Sequence, residues 1–173
     1  MAAAPDADPA GAADERPIAV IGVGSPCGDD QAGWLVVEAL RRAAAAHDPH
    51  LAGVELKALD RPGPDLLNAM TGARAAIVID AVLGASPGTV LRLSAGRLAA
   101  GSRPASTHAG GVADALALGA CLGVLPPRLV LLGVGGERFA PGTGPGAAVR
   151  DGAVQAARAV LDELRALGAG SAR

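Results

Sequence analysis

An α/β fold, with a parallel or mixed sheet covered on both faces by helices, is what this 173-residue sequence predicts. Three observations carry it. Short apolar, β-branched runs alternate along the chain with segments of helical periodicity, the pattern of strands buried on both faces between crossover helices. Glycine (25) and proline (13) are too abundant for a helix bundle and suit a chain with many turns. Half of the residues are hydrophobic, much of that alanine, yet there is one Trp (Trp34), one Phe (Phe139) and no Tyr, so Leu, Val and Ile must build the core. The length suits one domain of ordinary size, which needs no disulfide to hold it.

Residues 1–16 are Ala, Pro, Asp and Gly with little to bury and predict a flexible tail, as do residues 168–173. A single domain over 17–167 lies between them. Ile18–Val23 is a buried strand running into glycines. From Asp30 to about Ala46, Leu35, Val36, Ala39 and Leu40 recur at helical spacing. Val54–Leu59 alternates Val54, Leu56 and Ala58 with Glu55 and Lys57, the period of a strand with one wetter face. Pro64–Met70 predicts a short helix and Ala75–Ile79 a second buried strand. Thr89–Leu93, after the Pro87-Gly88 turn, predicts an edge strand. Gly111–Cys121 predicts a helix, Leu129–Val134 a third buried strand, and Asp151–Leu167 a long closing helix with Val154, Ala157, Leu161 and Leu164 on one stripe.

The composition excludes several partners. With no Tyr, one Phe, a net charge of -2 and scattered basic residues, the chain has neither a stacking platform nor a basic face for nucleic acid. No apolar run approaches the roughly 18 residues that cross a bilayer. The acidic start lacks the basic and apolar segments of a secretory signal. Cys27 and Cys121 are far apart and form no paired motif, which points to a reducing, cytoplasmic compartment.

In such folds, sites gather at the C-terminal ends of the strands. Three segments fall there. Gly22–Gly33 spans the first strand-to-helix turn and contains Asp29 and Asp30. A dinucleotide loop is disfavoured, because two carboxylates stand where a pyrophosphate would sit. Asp60 also follows Gly24 by about 36 residues, rather than the ~20 of a ribose-binding acid. Asp29 is expected to cap the helix, and Asp30 to be held at the strand mouth as a metal ligand. Asp80 follows the second buried strand on the same rim, and His108 lies in the loop before the Gly111 helix. If Asp30, Asp80 and His108 converge, two carboxylates and one imidazole leave coordination positions open for a divalent transition metal. A nucleophilic arrangement of Ser25 or Cys27 with His108 and Asp80 lacks a nucleophile elbow. Residues Gly133–Gly146 form a glycine-rich stretch that is either a mobile substrate-facing flap or an ordinary surface loop.

Taken in order, Gly22-Val-Gly-Ser-Pro-Cys-Gly-Asp-Asp-Gln-Ala-Gly33, Ile79-Asp80-Ala81 and Ser106-Thr-His108-Ala-Gly-Gly111 with Ala113-Asp114 resemble the hydrogenase maturation endopeptidases, over about Ile18 to Leu164. The resemblance implies a three-layer αβα fold around a twisted five-stranded sheet, mostly parallel, with Thr89–Leu93 as the one antiparallel strand. It implies removal of a C-terminal extension from the large-subunit precursor of a nickel–iron hydrogenase after nickel insertion. Nickel would arrive with that substrate, and Asp30, Asp80 and His108 would be both its ligands and the catalytic set, with either acid as proton acceptor. Leu59–Asp65 resembles the loop beside the family's site. Ser25 stands where the family often has Asn, and the Ser25–Asp29 loop is one residue shorter than in many members. A non-catalytic metal- or precursor-binding accessory protein is the alternative, with a nucleotide-binding domain behind it. A peptide site so poor in aromatic residues would lack the usual anchors, and a metal carried by the substrate would supply the specificity instead.

Overall fold

The computed structural model describes residues 16–60, 63–94 and 111–169. Residues 1–15, 61–62, 95–110 and 170–173 lie outside the described residues, and with them most of the predicted tails and His108.

The predicted alternation is present. The order is β1 (Ile18–Gly24), a 3-10 turn (Gly28–Gln31), α1 (Ala32–Ala45), β2 (Val54–Asp60), α2 (Asp65–Met70), β3 (Ala75–Val82), β4 (Val90–Leu93), α3 (Val112–Leu122), β5 (Arg128–Gly135) and α4 (Ala147–Ala169). The strands form one sheet in the order β2-β1-β3-β5-β4. Neighbouring pairs are parallel except β4 with β5, which is antiparallel, as expected of the short edge strand.

Strand alternation sends successive side chains to opposite faces, and each face meets its own pair of helices. On one side, Val20, Ile77, Ile79, Leu132 and Val134 pack with Val36 and Leu40 of α1 and with Val149, Ala153, Val160 and Leu164 of α4. On the other, Ile21, Val23, Val78 and Leu131 pack with Leu66 and Met70 of α2 and Val112 and Leu116 of α3. This is a three-layer αβα sandwich. Each fully buried aliphatic side chain, such as Leu40 or Ile77, contributes roughly 1.5–3 kcal/mol.

Small residues let α1 sit against the ends of β1 and β3. A Cβ on Gly22 would stand 2.1 Å from the Gly33 carbonyl oxygen, and one on Gly33 would stand 2.2 Å from that of Val23 and 2.6 Å from that of Ile79. The first turn of α1 is thereby pressed onto the strand ends, and the residues just before it are held over them.

Three details differ from expectation. β3 runs through Val82, so Asp80 is inside the strand rather than after it, in register with Gly133 of β5. α4 begins four residues earlier than predicted and continues through Ala169, so Gly168 and Ala169 are helical, not tail. Its buried stripe is Val149, Ala153, Ala156, Val160, Leu164 and Leu167, whereas Val154 is 49% exposed. Of the predicted stripe, Ala157 and Leu164 are buried and Leu161 packs against the core, and Val154 alone falls off the inner face.

Candidate functional site

The C-terminal ends of β1 and β3 present the candidate residues. The chain leaves β1 at Gly24, turns through Ser25–Cys27, and enters the 3-10 turn that holds Asp29 and Asp30, both 1% exposed. A Cβ on Gly24 would stand 2.4 Å from the Asp30 carbonyl oxygen, so this turn lies directly on the strand end. Asp80 projects from neighbouring β3.

Asp29 and Asp30 have different employment. Asp29 does not cap its own helix: the cap position is Cys27, with no side-chain hydrogen bond. Its Oδ2 accepts the backbone N–H of Glu137 (3.0 Å) and of Arg138 (2.9 Å), and its Oδ1 accepts that of Gly146 (2.7 Å), at the start of α4. Burial pushes this carboxyl upward. The three backbone donors and the nearby Arg138 charge outweigh it and hold the group below the ordinary carboxylate range. A buried anion satisfied by three donors is a strong tether.

That tether is reinforced by backbone. Gly28 N–H donates to Thr143 O (3.0 Å), Asp29 N–H to Arg138 O (2.7 Å) and Gly142 N–H to Pro26 O (3.4 Å). The Gln31 side chain also donates to Thr143 O (3.2 Å). Gly28 has φ +56°, and a Cβ there would stand 2.1 Å from Arg138 O, so the two loops touch through glycine. The β5–α4 loop is therefore stitched to the turn after β1, which is not the arrangement of a free flap.

Asp80 has the opposite character. One of its oxygens accepts the N–H of Ala81 (2.9 Å). Desolvation first, then the charge of Asp30, push its carboxyl up to about 7, and the Ala81 bond offsets only part of this. The structure thus brings Asp30 and Asp80 into one electrostatic unit. His108 lies outside the described residues, and among the described residues no group of three or more His, Cys, Asp or Glu side chains is placed to hold a metal ion. Ser25 is fully buried, with no hydrogen-bond partner for its hydroxyl among the described residues, so it is no exposed nucleophile. Cys27 is a half-buried free thiol.

One residue at this rim was not singled out for chemistry from the sequence. Trp34, half-buried in the first turn of α1, donates its Nε1–H to the Leu59 carbonyl at the end of β2 (2.8 Å). Its only signal was its rarity.

A profile of the hydrogenase maturation protease family, HycI type, matches residues 36–163. The chain belongs to the hydrogenase maturation protease family. It is similar to the hydrogenase maturating endopeptidase HybD of Escherichia coli, with 30% identity and a TM-score of 0.70 over 88% of this chain and 94% of that one. A solution structure of an Escherichia coli endopeptidase gives 31% identity and a TM-score of 0.71, with the same coverage of each chain. The maturation protease HycI of Thermococcus kodakarensis shares the fold at 18% identity, with a TM-score of 0.63 over 87% of this chain and 93% of that one. No curated protein sequence matches. As a hydrogenase maturation protease, the chain is an endopeptidase, and its sheet order and antiparallel edge are the α/β fold expected of that family. No described helix is long and apolar enough to cross a membrane.

Proposed function

We propose that this maturation protease removes the C-terminal extension of a nickel–iron hydrogenase large-subunit precursor, and that Asp30, Asp80 and His108 read the nickel the precursor already carries. The observation that carries the reading is the coupling of Asp30 to Asp80 at the strand ends. Two carboxylates in a desolvated rim raise the proton affinity of Asp80 to about 7, which marks a pocket of negative potential. A divalent cation is the natural occupant, since it displaces that proton and neutralises both acids at once. The donors fit a borderline metal: two carboxylate oxygens here, and an imidazole nitrogen if His108 takes the place its resemblance implies.

Nickel is then part of the substrate, and it supplies Lewis acidity at the scissile peptide. The chain's own residues do the rest. The 3-10 turn carries Asp30 over the end of β1, and β3 carries Asp80 within reach of its charge, which supports a pair formed before substrate arrives. Either carboxylate is positioned to accept a proton from an attacking water and to return it to the leaving amine. Free thiols at Cys27 and exposed Cys121 fit work in a reducing, cytoplasmic compartment.

Incubation of the protein with nickel-loaded precursor is expected to shorten the precursor by the mass of its extension, and nickel-free precursor is expected to stay intact. Binding of nickel-loaded precursor without any change in its mass would replace the protease with a non-catalytic accessory protein.

A further inference from the structure

Trp34 is the one indole in the chain, and it stands near the backbone of Asp30 at the end of β1. Asp30 and Trp34 are four residues apart across the entry into α1, one helical turn. Both approach the same point above the last residue of β1. A Cβ on Gly24 would stand 2.4 Å from Asp30 O and 3.3 Å from both Cδ1 and Nε1 of the indole. On the other side, Nε1–H is bound to the Leu59 carbonyl, beside the Gly24–Asp60 register pair of β1 and β2. The sheet order β2-β1-β3 sets the layout of the mouth: indole over the β2–β1 junction, Asp30 over β1, Asp80 on β3.

The ring is therefore fixed in orientation by its own N–H, supported on backbone beneath, and partly exposed at the rim. Rigid aromatics of this kind anchor binding surfaces because they lose little entropy on contact.

We propose that Trp34 is a specificity-determining residue of the maturation protease, an aromatic plate on which the backbone and apolar side chains of the precursor's peptide rest as it runs from the acid pair toward β2. This rests on the proteolytic reading and extends it. The chain does not lack an aromatic anchor after all: its single Trp lies where the peptide must pass, and its Nε1–H is used internally, so the plate offers its face rather than a hydrogen bond.

The full-length protein carrying 5-fluorotryptophan has one ¹⁹F signal, and the unlabelled precursor is silent. An excess of nickel-loaded precursor added to the labelled parent is expected to shift that signal while the precursor is being cut. In steady-state cleavage, Trp34→Leu is expected to raise KM roughly tenfold with kcat within about twofold, while Trp34→Phe, which keeps a ring, restores KM to within about threefold of the parent. A signal that stays fixed while the parent cuts the precursor overturns the role of Trp34 and leaves the protease standing, as does a Trp34→Leu protein with parental KM. A precursor that is neither cut nor able to shift the signal overturns the proteolytic reading together with this proposal.

Discussion

Asp29 and Asp80 both face the same rim, and they sit in opposite electrostatic worlds. Asp29 is surrounded by donors: three backbone N–H groups from the β5–α4 loop converge on its two oxygens, and its carboxyl is held below its ordinary range. Asp80 has one donor among the described residues, Ala81 N–H, and a second acid beside it, and its carboxyl is pushed up to about 7. Burial alone does not decide what an acid does. A carboxylate whose lone pairs are filled by backbone is a structural fastener, and one left in a negative, desolvated pocket is ready for a cation or a proton. The adjacent position, Asp30, belongs with Asp80 by its field although it neighbours Asp29 in sequence.

The contrast makes separable predictions. The largest effect on stability is expected at the fastener. Asp29→Ala leaves three backbone donors without their anion, and a loss of roughly 3 kcal/mol, or roughly 6–12 °C in Tm for a domain of this size, is expected in thermal unfolding followed by circular dichroism. An unchanged Tm would show that the backbone bonds between Gly28 and Thr143 and between Asp29 and Arg138 hold the loop by themselves.

A smaller effect, of opposite sign, is expected at the poised acid. The folded-state pKa of Asp80 lies above its unfolded value, so between about pH 4 and pH 7 the folded protein holds a proton that the unfolded chain has released. This contribution to stability is present below the unfolded pKa and is lost as pH rises through about 7. Metal-free parent is expected to lose Tm across that window relative to Asp80→Asn. In ¹³C NMR, Asp30→Asn is expected to lower the Asp80 titration midpoint, since it removes the like charge. A midpoint that does not move would dissolve the pair.

Much of the fold was legible because its signals are local. β1, β3 and β5 are unbroken apolar runs bounded by turn residues, and β4 follows its Pro-Gly turn. What was lost is what depends on distant contacts. The function of Asp29 was misread as capping, since its three partners are more than a hundred residues downstream and no local pattern announces them. The same separation hid the state of the Glu137–Gly146 loop, whose glycine content looks mobile until Gly28 and Thr143 are seen stitched together. Val154 was misplaced on the inner face of α4 because nearby alanines blur the edge of a hydrophobic stripe. That Asp30 and Asp80 would come near each other was legible, because the C-terminal end of a buried sheet is a predictable address. The bond from the Trp34 N–H to the Leu59 carbonyl was not legible, because it joins α1 to β2 across 25 residues.

The central claim, that Asp30 and Asp80 act as one nickel-reading pair in peptide cleavage, is tested most directly by the rate at which Asp30→Asn and Asp80→Asn proteins shorten nickel-loaded precursor, followed by mass spectrometry. Each variant is expected to keep a Tm within about 3 °C of the parent or above it, and to cut at least roughly 100-fold more slowly, the scale on which losing one charge-stabilising group slows catalysis. Folded variants that cut at the parental rate would contradict the account.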